Sequence, residues 1–220
     1  MHPATAVDID GGLVEANIVP GPYGLVELTS ANVLLFNADS GRSTGYGLAG
    51  VAGKLWYDVG ISLTHARRLA NDADIGVSAT AGIDGGADID RRWYVLVTGG
   101  LRWRIDSAIV FGVSIANAVA LGMSPSHGPH LAMGLGLTIN DVTTATIDAS
   151  MEPVSGLGII AGIRYEAHPR LALRAAFRSR PMCLSAAVLC RVTPSTAVLL
   201  DVDVVTVLGF RSRLGVAWHL

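Results

Sequence analysis

From about residue 55 to its end, this chain repeats one pattern: apolar side chains alternate with small or polar ones in blocks of roughly ten residues. A period of two puts successive side chains on opposite faces of an extended strand, so each block reads as a β-strand. The breaks between blocks carry turn chemistry. "RRLANDAD", "RIDSA", "INDVT", "EAHPR" and "VTPST" each hold Asp, Asn, Pro or Ser, which bend the backbone through local hydrogen bonds or a fixed φ. Strands are predicted near 55–66, 75–84, 93–105, 108–118, 130–139, 143–151, 157–166, 171–179, 183–192, 197–206 and 209–220. Upstream, "STGYGLAGVAG", "ANVLLFN" and "GGLVEANIV" are further strand candidates. The count is therefore 14, with 12 as the alternative, and no helix is predicted.

The two faces differ in kind. In 171–179, Leu171, Leu173, Ala175 and Phe177 oppose Ala172, Arg174, Ala176 and Arg178. In 197–206, Val198, Leu200, Val202 and Val204 oppose a face that carries Asp201 and Asp203. Arg102 with Arg104, Arg164 with Glu166, and Arg211 with Arg213 likewise share one parity within their segments. The other parity is bulky and apolar. Hydrophobic residues make up 50% of the chain and charged ones 15%, with a mean hydropathy of +0.46. Yet no run approaches the ~20 apolar residues of a spanning helix. A bulky face continued over a dozen strands is more apolar surface than a soluble interior needs. It fits an antiparallel transmembrane β-barrel with short turns, apolar outward and small or polar inward.

Charge and aromatic placement extend this reading. An arginine on the lipid face at mid-depth costs about 2–4 kcal/mol, so charges are expected to keep strictly to the inward parity. A last hairpin centred near Val207 would set Asp203 opposite Arg211 and Asp201 opposite Arg213. These four, with Arg174, Arg178, Arg164 and Glu166, form the expected lumen charge ladder. Trp103, Tyr165 and Trp218 fall near one rim on the outward parity, and Tyr57, Trp93, Phe177 and Phe210 near the other. Two aromatic girdles bounding an apolar band are what a membrane barrel requires. Residues 1–30, rich in Gly and Pro, are either a lumen plug or the first strand, with the barrel over 31–220.

The closing "RLGVAWHL" resembles the C-terminal signal of bacterial outer-membrane barrels, in Arg213, Gly215, Trp218 and the terminal Leu220. That resemblance implies recognition by the outer-membrane assembly machinery and pairing of the last strand with the first. "SLTHARRL", "GLGLTINDVTTATIDASMEP", "LGIIAGIRYEAHPRLALRAAFRSRP", "DVVTVLGFRSRLGV" and the "PYGLVEL" of 22–28 are similar to PorV-type and FadL-type outer-membrane proteins. This second resemblance implies 14 strands, in a family whose members either take up hydrophobic compounds or serve as accessory subunits of larger complexes. The Asn-Pro-Ala segment usual near their N-termini has only "LFNADSG" as its nearest counterpart here.

Other motifs resolve to plainer readings. "GYGLAG" at 45–50 matches G-x-G-x-x-G, but a dinucleotide site needs a helix after it, and the following "VAGKLWYDVGISL" alternates like a strand. His127 and His130 of "HGPH" lack further ligands for a metal set. Asp148 with Glu152 reads as lumen charge rather than an acid–base pair, and no Gly-x-Ser-x-Gly elbow is present. Cys183 and Cys190 lie on opposite parities of one strand and cannot pair. A net charge of -2 and the absence of a basic cluster interleaved with aromatics argue against nucleic acid. "MHPATAVDID" shows no secretory leader.

The expectation is thus a non-enzymatic barrel of the bacterial outer membrane that uses no cofactor. Its partners would be the bilayer, the assembly machinery and other proteins of a larger complex. Because the turns are short, an accessory or structural subunit is the first functional reading. A passive transport barrel for small or hydrophobic solutes is the alternative. A soluble ligand-binding barrel is disfavoured by the hydropathy.

Overall fold

The computed structural model describes residues 4, 11–22, 27–70, 72–122, 128–153, 156–206 and 208–220. They form one closed antiparallel barrel of fourteen strands, which excludes the twelve-strand alternative. The strands are β1 (Gly11–Pro20), β2 (Thr29–Asp39), β3 (Arg42–Ala52), β4 (Trp56–Arg68), β5 (Ala73–Gly86), β6 (Ile89–Arg104) and β7 (Ile109–Gly122). They continue with β8 (His130–Asn140), β9 (Thr143–Glu152), β10 (Gly156–His168), β11 (Leu171–Ser179), β12 (Met182–Arg191), β13 (Thr196–Val205) and β14 (Gly209–His219). Each pairs with its sequence neighbours, and β1 pairs with β14 to close the sheet.

Gly11, which opens β1, and His219, which closes β14, lie at one rim, together with connections of two to four residues such as 40–41, 105–108 and 169–170. We call it the terminal rim; the other, holding the longer 21–28 and 123–129 connections, is the loop rim. At the terminal rim Ser40 and Gly41 both have positive φ, 49° and 78°. That is the backbone a two-residue hairpin uses to match strand twist.

Burial is inverted relative to a soluble protein. Ile61, Leu63, Trp93, Leu184 and Phe210 are exposed on the outer wall, whereas Asp74, Asp84, Asp201, Asp203 and Arg102 are buried on the inner one. A closed sheet leaves no strand edge to pair outside itself, so the outer wall offers side chains, mostly apolar, to its surroundings. Inside, one small apolar cluster (Leu13, Phe36 and Ala66, flanked by Leu34 and Ala217) packs beneath the terminal rim.

Three details depart from the sequence reading. The gap at 85–92 between two expected strands closes: β5 and β6 extend into it and leave only Ala87 and Asp88 as the turn. The N-terminal segment supplies the first strand, one of its two expected roles, so the barrel begins at Gly11 and not at 31. Charge parity is not strict either. β4 runs two residues beyond its expected end, and Arg67, with His65 and Arg42, takes the outward face near the terminal rim. There the cost of a lipid-facing charge falls to about 0–1 kcal/mol. Val207 lies outside the described residues, as do His127, residues 23–26 of the "PYGLVEL" stretch and most of residues 1–10.

Closure depends on local space at the β1–β14 seam. Trp218 stands opposite Val14, Gly215 opposite Asn17 and Leu214 opposite Ile18. The Leu220 N–H donates to the Gly12 carbonyl at 2.8 Å. A Cβ on Gly215 would run into Asn17 Oδ1 and come within 3.5 Å of Leu199 Cβ, so the seam closes there because residue 215 has no side chain.

Candidate functional site in the barrel lumen

β13 and β14 set Asp203 opposite Arg211 and Asp201 opposite Arg213. Arg211 Nε donates to Asp203 Oδ2 at 2.8 Å and its Nη2 contacts the same oxygen. Arg213 Nη2 contacts Asp201 Oδ2. Both aspartates are buried. Across β10 and β11, Arg174 directly faces Arg164, and Arg164 Nη2 is held by Glu166 Oε1 at 2.7 Å. Arg178 shares the inward parity of Arg174, opposite Ile160 and Cys183. The inner face of the β11–β14 wall thus presents Arg174, Arg178, Arg211 and Arg213 against Asp201 and Asp203, from mid-strand toward the loop rim. Among the described residues no ion pair joins Arg174 or Arg178 to an acid.

Arg211 and Arg213 are the shared wall of two lumen cavities. One, about 410 Å³, reaches β1–β6 and is lined by Asn17, Asn32, Asp58, Ser62, Thr80 and Tyr94 among others. The other, about 290 Å³, lies against β11–β13 beside Arg174, Ser185 and Asp201. Polar contacts hold the larger one in shape. Tyr94 Oη donates to Asp58 Oδ1 at 2.6 Å, and Asn17 Nδ2 donates to Glu15 Oε1 at 2.7 Å and to Asn32 Oδ1 at 2.9 Å. Small residues make the room: Gly60, Ser62 and Thr80 face inward where larger side chains would fill it.

A second charged cluster sits beneath the terminal rim. Asp74 is fully buried, and it takes hydrogen bonds from Arg102 Nε (3.0 Å) and Nη2 (2.5 Å). Arg104 Nη2 lies 2.9 Å and Arg68 Nε 3.2 Å from the same carboxylate. The inward parity of Arg102 and Arg104 is visible in sequence, but Asp74 falls in a segment that reads as turn. The Asn17–Asn32 and Tyr94–Asp58 contacts carry no sequence signal, since each joins strands whose register the alternation leaves open.

The remaining sequence candidates are placed as follows. Trp103, Tyr165 and Trp218 are exposed on the outer wall within the last four residues of their strands, toward the terminal rim. Trp93, Phe177 and Phe210 are exposed in the loop-rim halves of theirs. Tyr57 is half-buried there and its hydroxyl accepts from Arg91 Nε at 3.2 Å. The 45–50 glycine motif lies inside β3 and leads into β4, not a helix. Of its glycines Gly45 and Gly47 line the inner face, while Gly50 shares the outward parity of Tyr46 and Leu48. His130 opens β8 opposite Ala116. Cys183 and Cys190 are both free thiols. The described residues contain no group of three metal-ligating side chains.

Guanidiniums fixed around a polar cavity can attract and orient an anionic or hydroxylated solute, and they supply neither a nucleophile nor a paired base. No family model matches the sequence, and no curated protein is similar to it in sequence. Solved structures do share its shape. The CymD monoaromatic hydrocarbon channel superposes with a TM-score of 0.73 at 11% identity, over 100% of this chain and 91% of the channel. The Pseudomonas putida toluene transporter TodX gives 0.70 at 10%, over 98% and 90%. The KdgM porin in complex with disordered oligogalacturonate gives 0.52 at 9%, over 95% and 99%. These chains are channels and porins, not enzymes, and the likeness shows the fold: this chain has the architecture of outer-membrane β-barrels.

Proposed function

We propose that the chain is a passive transport barrel of the bacterial outer membrane, passing small polar solutes with a preference for anions. The observation that carries this reading is the polar cavity of about 410 Å³ walled by Arg211 and Arg213. A purely structural barrel has no need of an inner face cleared by glycine, serine and threonine. The similar solved chains are channels and porins, which favours transport over the accessory-subunit reading, whose main support is short turns. In this orientation the terminal rim faces the periplasm, as outer-membrane barrels keep short periplasmic turns and longer outer loops.

Hydrocarbon passage, the activity for which the CymD channel and the toluene transporter TodX are named, suits this lumen less well. Its apolar inner side chains form one small cluster, Leu13–Phe36 under the terminal rim, and elsewhere, as at Val19, Leu96 and Leu199, stand singly among polar and charged ones. The test is reconstitution into planar bilayers and proteoliposomes. Stepwise conductance with an anion-favouring reversal potential, and swelling in small sugars or amino acids, are expected. Silent bilayers together with impermeable vesicles from correctly folded protein would sink the transport reading.

A further inference from the structure

The outer wall is not a smooth apolar band. Across β4–β7 it is cut by a trough of about 460 Å³, with Val77, Leu101 and Ile115 among its sides and His65 and Arg67 at one end. Gly99 makes the floor: it lies on the outward parity of β6, and a Cβ there would meet nothing within 4 Å. The register gives the trough a direction. Arg67 is the second residue from the end of β4, and its row runs through Ile75, third into β5, and Leu101, fourth from the end of β6, to Val113, fifth into β7. Each step lies one residue farther from the terminal rim. The charged end is therefore at the rim and the apolar end deep in the wall.

The charged end carries two arginines and only one acid across the strands from them. Arg67 stands directly opposite Arg42, both facing outward, and like charges directly opposite destabilise a strand pair. On its other side Arg42 stands directly opposite Asp39 of β2, whose Oδ1 accepts from Ser40 Oγ at 2.7 Å, whereas Arg67 faces only Ile75 on β5. Among the described residues no ion pair joins either arginine to an acid. His65 Nδ1 lies 3.3 Å from Thr44 Oγ1, which leaves its Nε2 side open. An anion between these groups would relieve the repulsion.

We propose that this trough holds one anionic phospholipid of the leaflet at the terminal rim. Its phosphate would lie against Arg67, Arg42 and His65, and one acyl chain would lie over Gly99. A phospholipid is the occupant that joins a negative group at the membrane interface to a narrow apolar chain at depth. A protein strand cannot add to a closed sheet, because no backbone donors remain unpaired at an edge. The inference rests on the outer-membrane reading above, but not on transport.

The test is native mass spectrometry of the full chain in non-ionic detergent, titrated with phosphatidylglycerol or with phosphatidylcholine of the same acyl chains. One retained phosphatidylglycerol is expected, bound on the order of ten-fold more tightly than phosphatidylcholine, since each basic residue at an anionic surface contributes a preference of about five-fold. Arg67→Gln should lower that preference about five-fold and leave phosphatidylcholine unchanged. Gly99→Leu should abolish the retained lipid of either headgroup while heat-modifiable migration and conductance stay as in the wild type. Equal binding of the two lipids, retention in Gly99→Leu, or a dimer in place of a bound lipid would each overturn the site. Conductance recorded on the same preparations separates the ideas: a silent barrel that selects phosphatidylglycerol counts against transport alone.

Discussion

Replacing Asp74 by Asn removes one negative charge and almost no volume from the most buried charged position of the lumen. Three guanidiniums then share a space that loses its fully buried carboxylate. Arg102 is the most committed, with two hydrogen bonds to the carboxylate and a side chain only 10% exposed. Arg104, 27% exposed, contributes less. Arg68, 42% exposed, is close to a surface pair, for which about 0–1 kcal/mol is usual. Removing one partner of a buried ion pair costs about 3–5 kcal/mol, because the other charge stays desolvated. Asp74→Asn is therefore expected to lower unfolding stability by about 3–5 kcal/mol. Adding Arg102→Met to Asp74→Asn should recover part of that loss, since the buried guanidinium that lost the carboxylate goes too. The assay is urea unfolding in lipid vesicles, followed by tryptophan fluorescence and by heat-modifiable migration. Asp84→Asn is the internal comparison. Asp84 is as deeply placed, but its Arg92 partner lies at 3.3 Å and is 33% exposed, so a smaller loss is expected. If Asp74→Asn loses no more than about 1 kcal/mol, the range of exposed pairs, the guanidiniums are already hydrated and the burial argument is wrong.

At the seam, Gly215→Val drives a side chain into Asn17 and should cut the heat-modifiable folded fraction. Asn17→Ala in the same chain should restore part of it, and no restoration would place the defect elsewhere. In the lumen, Arg174→Glu with Arg178→Glu turns a four-to-two excess of arginine on the β11–β14 wall into a four-to-two excess of acid. The reversal potential should then change sign toward cations; an unchanged potential would show that permeating ions do not pass this wall.

Alternation is a local property, written residue by residue by the pleat. That is why fourteen strands, the two faces and the position of most turns could be read from the chain. The parity that keeps Arg102 with Arg104, or Asp201 with Asp203, on one face is local in the same way. The reading failed where a strand ran on through turn-like residues. Asp74 and Arg67 sit in "RRLANDAD", whose Asn and Asp residues signal a bend, yet pairing with β4–β6 extends the sheet into it. Distances across the lumen are another matter. Whether Arg211 borders a cavity shared with Tyr94 and Asn17 depends on how far the sheet is sheared when β14 meets β1, and no strand contains that information. The trough over Gly99 has the same origin. Its row of residues comes from four strands, and its slope from rim to mid-wall exists only once their registers are set side by side. Faces belong to the strand and chambers to the closed barrel, because the pleat acts between neighbours in the chain while closure acts between residues two hundred positions apart.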